Sequence, residues 1–228
     1  MRDAPIAAAL LALLLAGCAT QVARPPEATS GAPAGFPESD YRRLAAEGRP
    51  IFRIDPSRSL IVIEARRAGS LARAGHDHVI AAHDVQGFIA PGERRSDLYL
   101  RLEDLAVDEP ELRAEAKLDT HPSPEDIAGT RRNMLKAFEA EQFPFALVHI
   151  DRAGGDAPLR VAVSLHGVTR AVEVAAEERA TGDELAVTGR MALKQTDFGI
   201  KPLSVLGGAL QVQDEVELAF SIRARRVR

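Results

Sequence analysis

Along much of the chain apolar and polar residues alternate one for one. In DLYLRLEDL, Leu98, Leu100 and Leu102 fall on one face, and Tyr99, Arg101 and Glu103 on the other. The same period of two runs through LRVAVSLHG (Leu159, Val161, Val163, Leu165) and EVELAFSIRAR (Val216, Leu218, Phe220, Ile222). Successive side chains of a strand project to opposite faces, so this period predicts strands with one buried face, the kind found in antiparallel sheets. Less regular strands are predicted near 59–67, 79–90, 145–151, 170–178 and 185–194. So many strands with so little helix between them predict a mainly β fold, either a closed barrel or a sandwich.

One helix interrupts the strands. SPEDIAGTRRNMLKAFEAE opens with Ser123 as a cap, Pro124 at the first helical position and two acids in the first turn, all favourable at the positive end of a helix. Ile127, Met134, Leu135 and Phe138 form its apolar stripe, and Phe143-Pro144 stops it. On a barrel the natural place for such a helix is over an open mouth.

Before Ile51 the pattern is different. Arg2 is followed by an almost unbroken apolar run from Ile6 to Ala16, too short to span a bilayer, which needs about 20 apolar residues. Residues 1–17 are therefore expected to be an export signal. Leu15-Ala16-Gly17-Cys18 resembles the lipobox of bacterial lipoproteins, in which the cysteine is acylated and becomes the first residue of the mature chain. Residues 18–50 read as a lipid-anchored flexible tether, rich in Pro, Ala, Gly, Ser and Thr, with a short, loosely packed helix from a Ser39 cap to Glu47. The folded domain is expected over 51–223, with a basic tail at 224–228.

Charge and composition narrow the classes. A net charge of −4 and a pI of about 5.9 argue against a nucleic-acid partner. Cys18 is the sole cysteine, which excludes an intrachain disulfide and a catalytic thiol in the mature body. A Gly-x-Ser-x-Gly elbow, a phosphate-cradling glycine loop and a His-Glu-x-x-His motif are all absent, so no enzymatic activity is expected.

The segment AGHDHVIAAHD raises the competing reading of a periplasmic metal-binding protein. His76 and His78 lie two apart and share a strand face, a real spacing for zinc, whereas His83 falls on the opposite face of an unbroken strand. A third ligand is not visible. The imidazoles read more simply as groups satisfying loop backbone at a barrel rim. His121, His149 and His166 lie on separate elements.

Several segments together are similar to the YceI-like family of exported bacterial proteins: FRIDPSRSLIVIEAR, FPFALV, LHGVTRAVEV, KQTDFGI and VQDEVELAFSI, in that order over about 51–223. The resemblance implies an antiparallel eight-stranded lipocalin-like barrel, with one helix near the mouth, holding an isoprenoid or similar lipid tail. The sequence departs from the common pattern at Arg58, where the family carries a histidine before the serine, and at Gly75-His76-Asp77-His78, which marks a Gly-His-x-His variant branch.

On this reading the ligand-lining candidates are the inward apolar faces: Leu98, Leu100, Leu102, Val161, Val163, Leu165, Val172, Val174, Leu218 and Phe220. Phe138, Phe143 and Phe198 are expected at the mouth. With 4% aromatics and no tryptophan the wall should be aliphatic, which suits a flexible chain. An isoprenoid lipid or quinone is the implied ligand and no cofactor is required. The protein is expected on the periplasmic side of the cell envelope, tethered through Cys18. Ala19 is not the aspartate associated with inner-membrane retention, which favours the outer membrane.

Overall fold

The computed structural model describes residues 31–152 and 157–228. The expected signal segment, Cys18 and the tether as far as residue 30 lie outside the described residues. In chain order the strands are β1 (Phe52–Ile54), β2 (Leu60–Ala65), β3 (Arg67–Ala68), β4 (His78–Ala82), β5 (Gln86–Ala90), β6 (Arg95–Arg101), β7 (Ala106–Val107) and β8 (Phe145–Arg152). They continue as β9 (Leu159–Leu165), β10 (Val168–Val174), β11 (Ala176–Thr181), β12 (Glu184–Lys194), β13 (Ser204–Val205), β14 (Leu210–Val212) and β15 (Glu215–Arg226). The helices are α1 (Glu38–Ala46), α2 (Pro110–Glu115) and α3 (Pro124–Ala137).

Several short strands are halves of longer, kinked ones. β1 and β2 pair with the same edge of β15, Phe52–Ile54 opposite Arg226–Ala224 and Leu60–Glu64 opposite Ser221–Glu217. Their neighbour is split in the same way: β5 pairs with β1 and β4 with β2. The kink between β1 and β2 falls at Pro56, which has no N–H to offer a ladder and opens a 3-10 turn over Pro56–Arg58. Ser59, buried beside it, repairs the gap. Its hydroxyl donates to the Asp55 carbonyl at 2.8 Å and accepts from the Arg223 N–H at 3.0 Å. Arg58 points to solvent and pairs with Glu184 at 2.7 Å.

A third kink closes the structure. Only Ala175 separates β10, which pairs with β9, from β11, which pairs with β12. With kinked strands counted once, the antiparallel pairings run β15, β1/β2, β4/β5, β6, β8, β9, β10/β11, β12 and back to β15. That is a ring of eight strands. Gly189 sits against the bend: a Cβ there would lie 3.0 Å from the Ala175 carbonyl oxygen and 2.5 Å from the Phe220 ring. The β9–β10 hairpin turns through His166 and Gly167, both at positive φ (53° and 72°), the backbone a tight two-residue turn requires.

The inward faces form two adjoining apolar clusters. One gathers Ile54, Ile80, Leu98, Leu102, Leu185 and Ile222, the other Leu159, Val161, Val163, Val174 and Phe198. α3 begins with the expected cap, Ser123 and Asp126 forming a reciprocal capping box, and its Ile127, Met134 and Leu135 pack against the first cluster. β3, β13 and β14 make a separate three-stranded sheet that the alternation does not reveal, because its strands are two or three residues long.

Two expectations change. The helix within the tether is not loose: Tyr41 of α1 is fully buried on the outside of the sheet, stacked on Phe88 with ring centroids 5.2 Å apart, and its hydroxyl donates to Asp97 at 2.5 Å. Burial and that carboxylate push the phenol's pKa up, so it stays a donor across the working range. The basic tail is in part a strand, since β15 runs to Arg226, with Ala224 buried inside and the Val227 N–H bonded to the Ile51 carbonyl. Both follow from apolar residues too sparse to show a period.

Replacing Ser59 with alanine removes the side chain that bridges the kink and orphans the Arg223 N–H. The expected loss is about 1–3 kcal/mol in urea unfolding, with an unchanged m-value. Full wild-type stability would mean the ladder closes there without it.

Candidate binding cavity

Because inward residues alternate along every strand, the ring encloses an apolar interior, and its two ends are finished differently. At the end where β4 and β8 begin and β6 finishes, the interior is filled. There Leu100, Leu102, Leu105, Val107 and Ala140 meet Ile127, Met134, Leu135 and Phe138 from α3 and the turn after it. Toward the other end a cavity remains. Its wall is Ile61, Ile89, Leu98, Val148, Ile150, Leu159, Val161, Val187, Met191, Phe220 and Ile222. With its open mouth the space is about 880 Å³. Its apolar wall makes it a slot suited to a hydrocarbon chain.

The mouth is polar. It is formed by Ala90, Pro91, Arg94, Arg95, Ser96, Arg152 and Glu178. Arg152 and Glu178 lie on inward positions of β8 and β11 and form an ion pair across the opening, each side chain about a third exposed. The Arg94 Nε donates to the Arg152 carbonyl at 3.0 Å. Arg95 contributes its backbone and stem, since its guanidinium turns outward to Tyr41 and Asp97.

The histidine segment lies at the filled end. His78 projects inward at the start of β4, and its Nδ1 meets Asp108 Oδ2 at 2.6 Å. The Asp108 side chain is wholly buried and also accepts from the Val79 N–H (3.1 Å) and Arg113 Nη1 (2.5 Å). A left-handed backbone at Asp108 (φ 58°), which aspartate tolerates better than most residues, aims the carboxylate inward. Arg113 also donates to the carbonyls of Asp77 and Thr120 and to the Thr120 hydroxyl. Burial works to raise the Asp108 pKa, but hydrogen bonds from His78, Val79 and Arg113 outweigh it and hold the carboxyl below the usual range. The network ties the 108–120 segment to β4. His78 Nε2 faces Thr130 of α3 at 3.4 Å.

This geometry does not support a metal site. His76 faces Asp126 at 4.0 Å, and the rings of His76 and His78 are 6.2 Å apart. His83 turns to the exterior and meets Glu109 at 2.8 Å. Among the described residues no three His, Cys, Asp or Glu side chains converge on one point.

Comparison with known proteins decides the family. The model of the YceI-like domain matches residues 52–224. The chain belongs to the YceI-like family. Among solved structures, a polyisoprenoid binding domain from Saccharophagus degradans, implicated in plant cell wall breakdown, superposes with a TM-score of 0.56 at 12% identity, covering 78% of this chain and 100% of that one. BcnA of Burkholderia cenocepacia follows at 0.47 and 13%, covering 75% and 98%. The YceI protein of Campylobacter jejuni gives 0.39 and 11%, covering 59% and 73%. No curated protein matches the chain. At these identities the first superposition establishes the fold.

Within this YceI-like barrel, three of the thirteen lining candidates, Leu98, Val161 and Phe220, face the cavity. Leu100, Leu102 and Phe138 belong to the packing beneath α3, and Val163, Leu165, Val172, Val174 and Phe198 to the second cluster or its margin. Leu218 is buried on β15, one inward position from Phe220. The expected aromatic mouth is corrected. Phe198 is a core residue, and Phe143 packs edge-on against His166 with centroids 5.4 Å apart. α3 closes its end with side chains, so the opening lies at the opposite end. Ile61, Ile89, Val148, Ile150, Leu159, Val187, Met191 and Ile222 were missed as lining residues, though each stands on the inward face of its strand.

Replacing Asp108 with asparagine leaves Arg113 buried beside a neutral partner and is expected to cost roughly 3–5 kcal/mol. A carboxylate with a depressed folded pKa stabilises fully above its unfolded value, near 3.9, and loses that contribution as pH falls through the folded one. The gap between wild type and Asp108→Asn in thermal melts should therefore hold from neutral pH to about 4 and shrink below it. A gap independent of pH would contradict the charged network.

Proposed function

We propose that this protein is an exported, lipid-anchored carrier that sequesters an isoprenoid-like apolar chain in its cavity, without catalysing a reaction. The observation that carries this reading is a slot walled by apolar side chains, aliphatic except for Phe220, and rimmed by Arg94, Arg152 and Glu178. The superposed domain from Saccharophagus degradans is described as polyisoprenoid binding, which supports the same ligand class. Each buried methylene contributes about 0.8 kcal/mol, so ten give on the order of 8 kcal/mol before ordering costs. Depth along the slot therefore sets affinity. The polar end of the ligand, a hydroxyl, a phosphate or a quinone head, would rest at the rim, where the ion pair offers a donor and an acceptor. Export and acylation at Cys18 place the carrier on the periplasmic face of the envelope, with the outer membrane favoured.

Val148 lines the slot at mid-barrel. Val148→Phe should lower affinity for geranylgeraniol at least about tenfold, equivalent to about 1.4 kcal/mol, while thermal melts confirm the fold. Undiminished binding in the folded variant would place the ligand elsewhere. No binding by the wild type would turn the reading to a filled-barrel interaction module.

A further inference from the structure

Five large apolar side chains are exposed among the described residues, Leu71, Leu147, Leu203, Val205 and Leu206, and four of them share one feature. It is the separate sheet of β3, β14 and β13, with Val205 opposite Leu210 and Gln211 opposite Ala68. Leu71 is fastened to its rim, its N–H donating to the Ala209 carbonyl at 2.7 Å. The tip is Leu206-Gly207-Gly208, all at positive φ (53°, 66° and 92°). Leucine adopts that backbone at a cost, and here the side chain is 72% exposed, so packing does not repay it.

The charges are one-sided. Residues 66–76 and 199–213, which build this flap, contain Arg66, Arg67, Arg73 and Lys201 and no Asp or Glu, in a chain of net charge −4. Arg66 and Arg67 are paired with carboxylates at the base, whereas Arg73 and Lys201 are exposed, each two residues along the chain from an exposed leucine, Leu71 and Leu203. An apolar tip with the exposed cations Arg73 and Lys201 on the same two segments, and with the acids Asp77 and Asp119 paired to Arg66 and Arg67 at the base, complements the anionic headgroup layer and acyl boundary of a bilayer.

We propose that the flap is an interfacial membrane-docking element, with Leu71, Leu203, Val205 and Leu206 at the acyl boundary and Arg73 and Lys201 on anionic headgroups. It extends from the end of β2, beside the filled end of the barrel, so docking points the cavity mouth away from that bilayer. This docking does not depend on what the cavity holds.

The chain has no tryptophan, so an introduced indole reports alone. The full chain carrying Leu206→Trp is placed on vesicles of phosphatidylcholine with phosphatidylglycerol, the acyl chains brominated as quenchers. Leu147→Trp, on the outer face of β8, serves as the comparison, and thermal melts verify both folds. The expected result is a blue-shifted emission quenched at least about twofold for Leu206→Trp and unchanged for Leu147→Trp. Adding Arg73→Glu and Lys201→Glu should abolish that quenching. Unquenched, water-like emission from Leu206→Trp would overturn the proposal, as would equal quenching of both indoles or indifference to the charge reversals.

Discussion

The constraint on which this molecule depends is that the apolar face of each strand must be covered, and only a closed circuit of strands covers all of them at once. An open sheet of these segments would leave one face wet and two edges unpaired. Closure is reached by bending strands rather than lengthening them: at Pro56, between β4 and β5, and at Ala175, where one chain segment changes partner from β9 to β12. Ser59 and Gly189 are the local adjustments that let two of these bends form without orphaned or colliding groups.

A ring of about eight strands has room inside for packed side chains or one slim ligand, and this barrel uses both solutions. α3 fills one end, and its side chains substitute for a ligand there. That end is secured by costly electrostatics: a buried carboxylate and guanidinium leave water only because each finds several partners. The other end carries Arg152 and Glu178, partly exposed, where solvent screening leaves an ion pair weakly committed. A rim of that kind can exchange its partner for a ligand's head without destabilising the barrel. The rigid end and the yielding end are thus distinguished by burial of similar charges.

Much of the fold was legible because period two survives any bend. Residues 79–90 read as one strand and fold as two halves of one, and the helix over 123–137 announced itself through Ser123, Pro124 and its acids. The cavity was far less legible. Alternation tells Val161 from Ala162, but not Val161, which faces the slot, from Val163, which is packed solid. That distinction depends on depth along the barrel and on where α3 stops, both set by non-local register. The histidines were legible only in part: His78 opens β4 while His76 lies in the loop before it, so the two do not share a strand face, and the decisive partner, Asp108, comes from a loop thirty residues away with no periodic signal. Tyr41 was missed because one aromatic anchor leaves no pattern.

The central claim is that the slot holds an apolar chain, and native mass spectrometry of the purified protein, paired with organic extraction, tests it most directly. The account expects a mass above the bare polypeptide, collapsing to it on extraction, with a long-chain, isoprenoid-type lipid recovered near one per protein. A folded protein that shows only the bare mass and yields no lipid would contradict it.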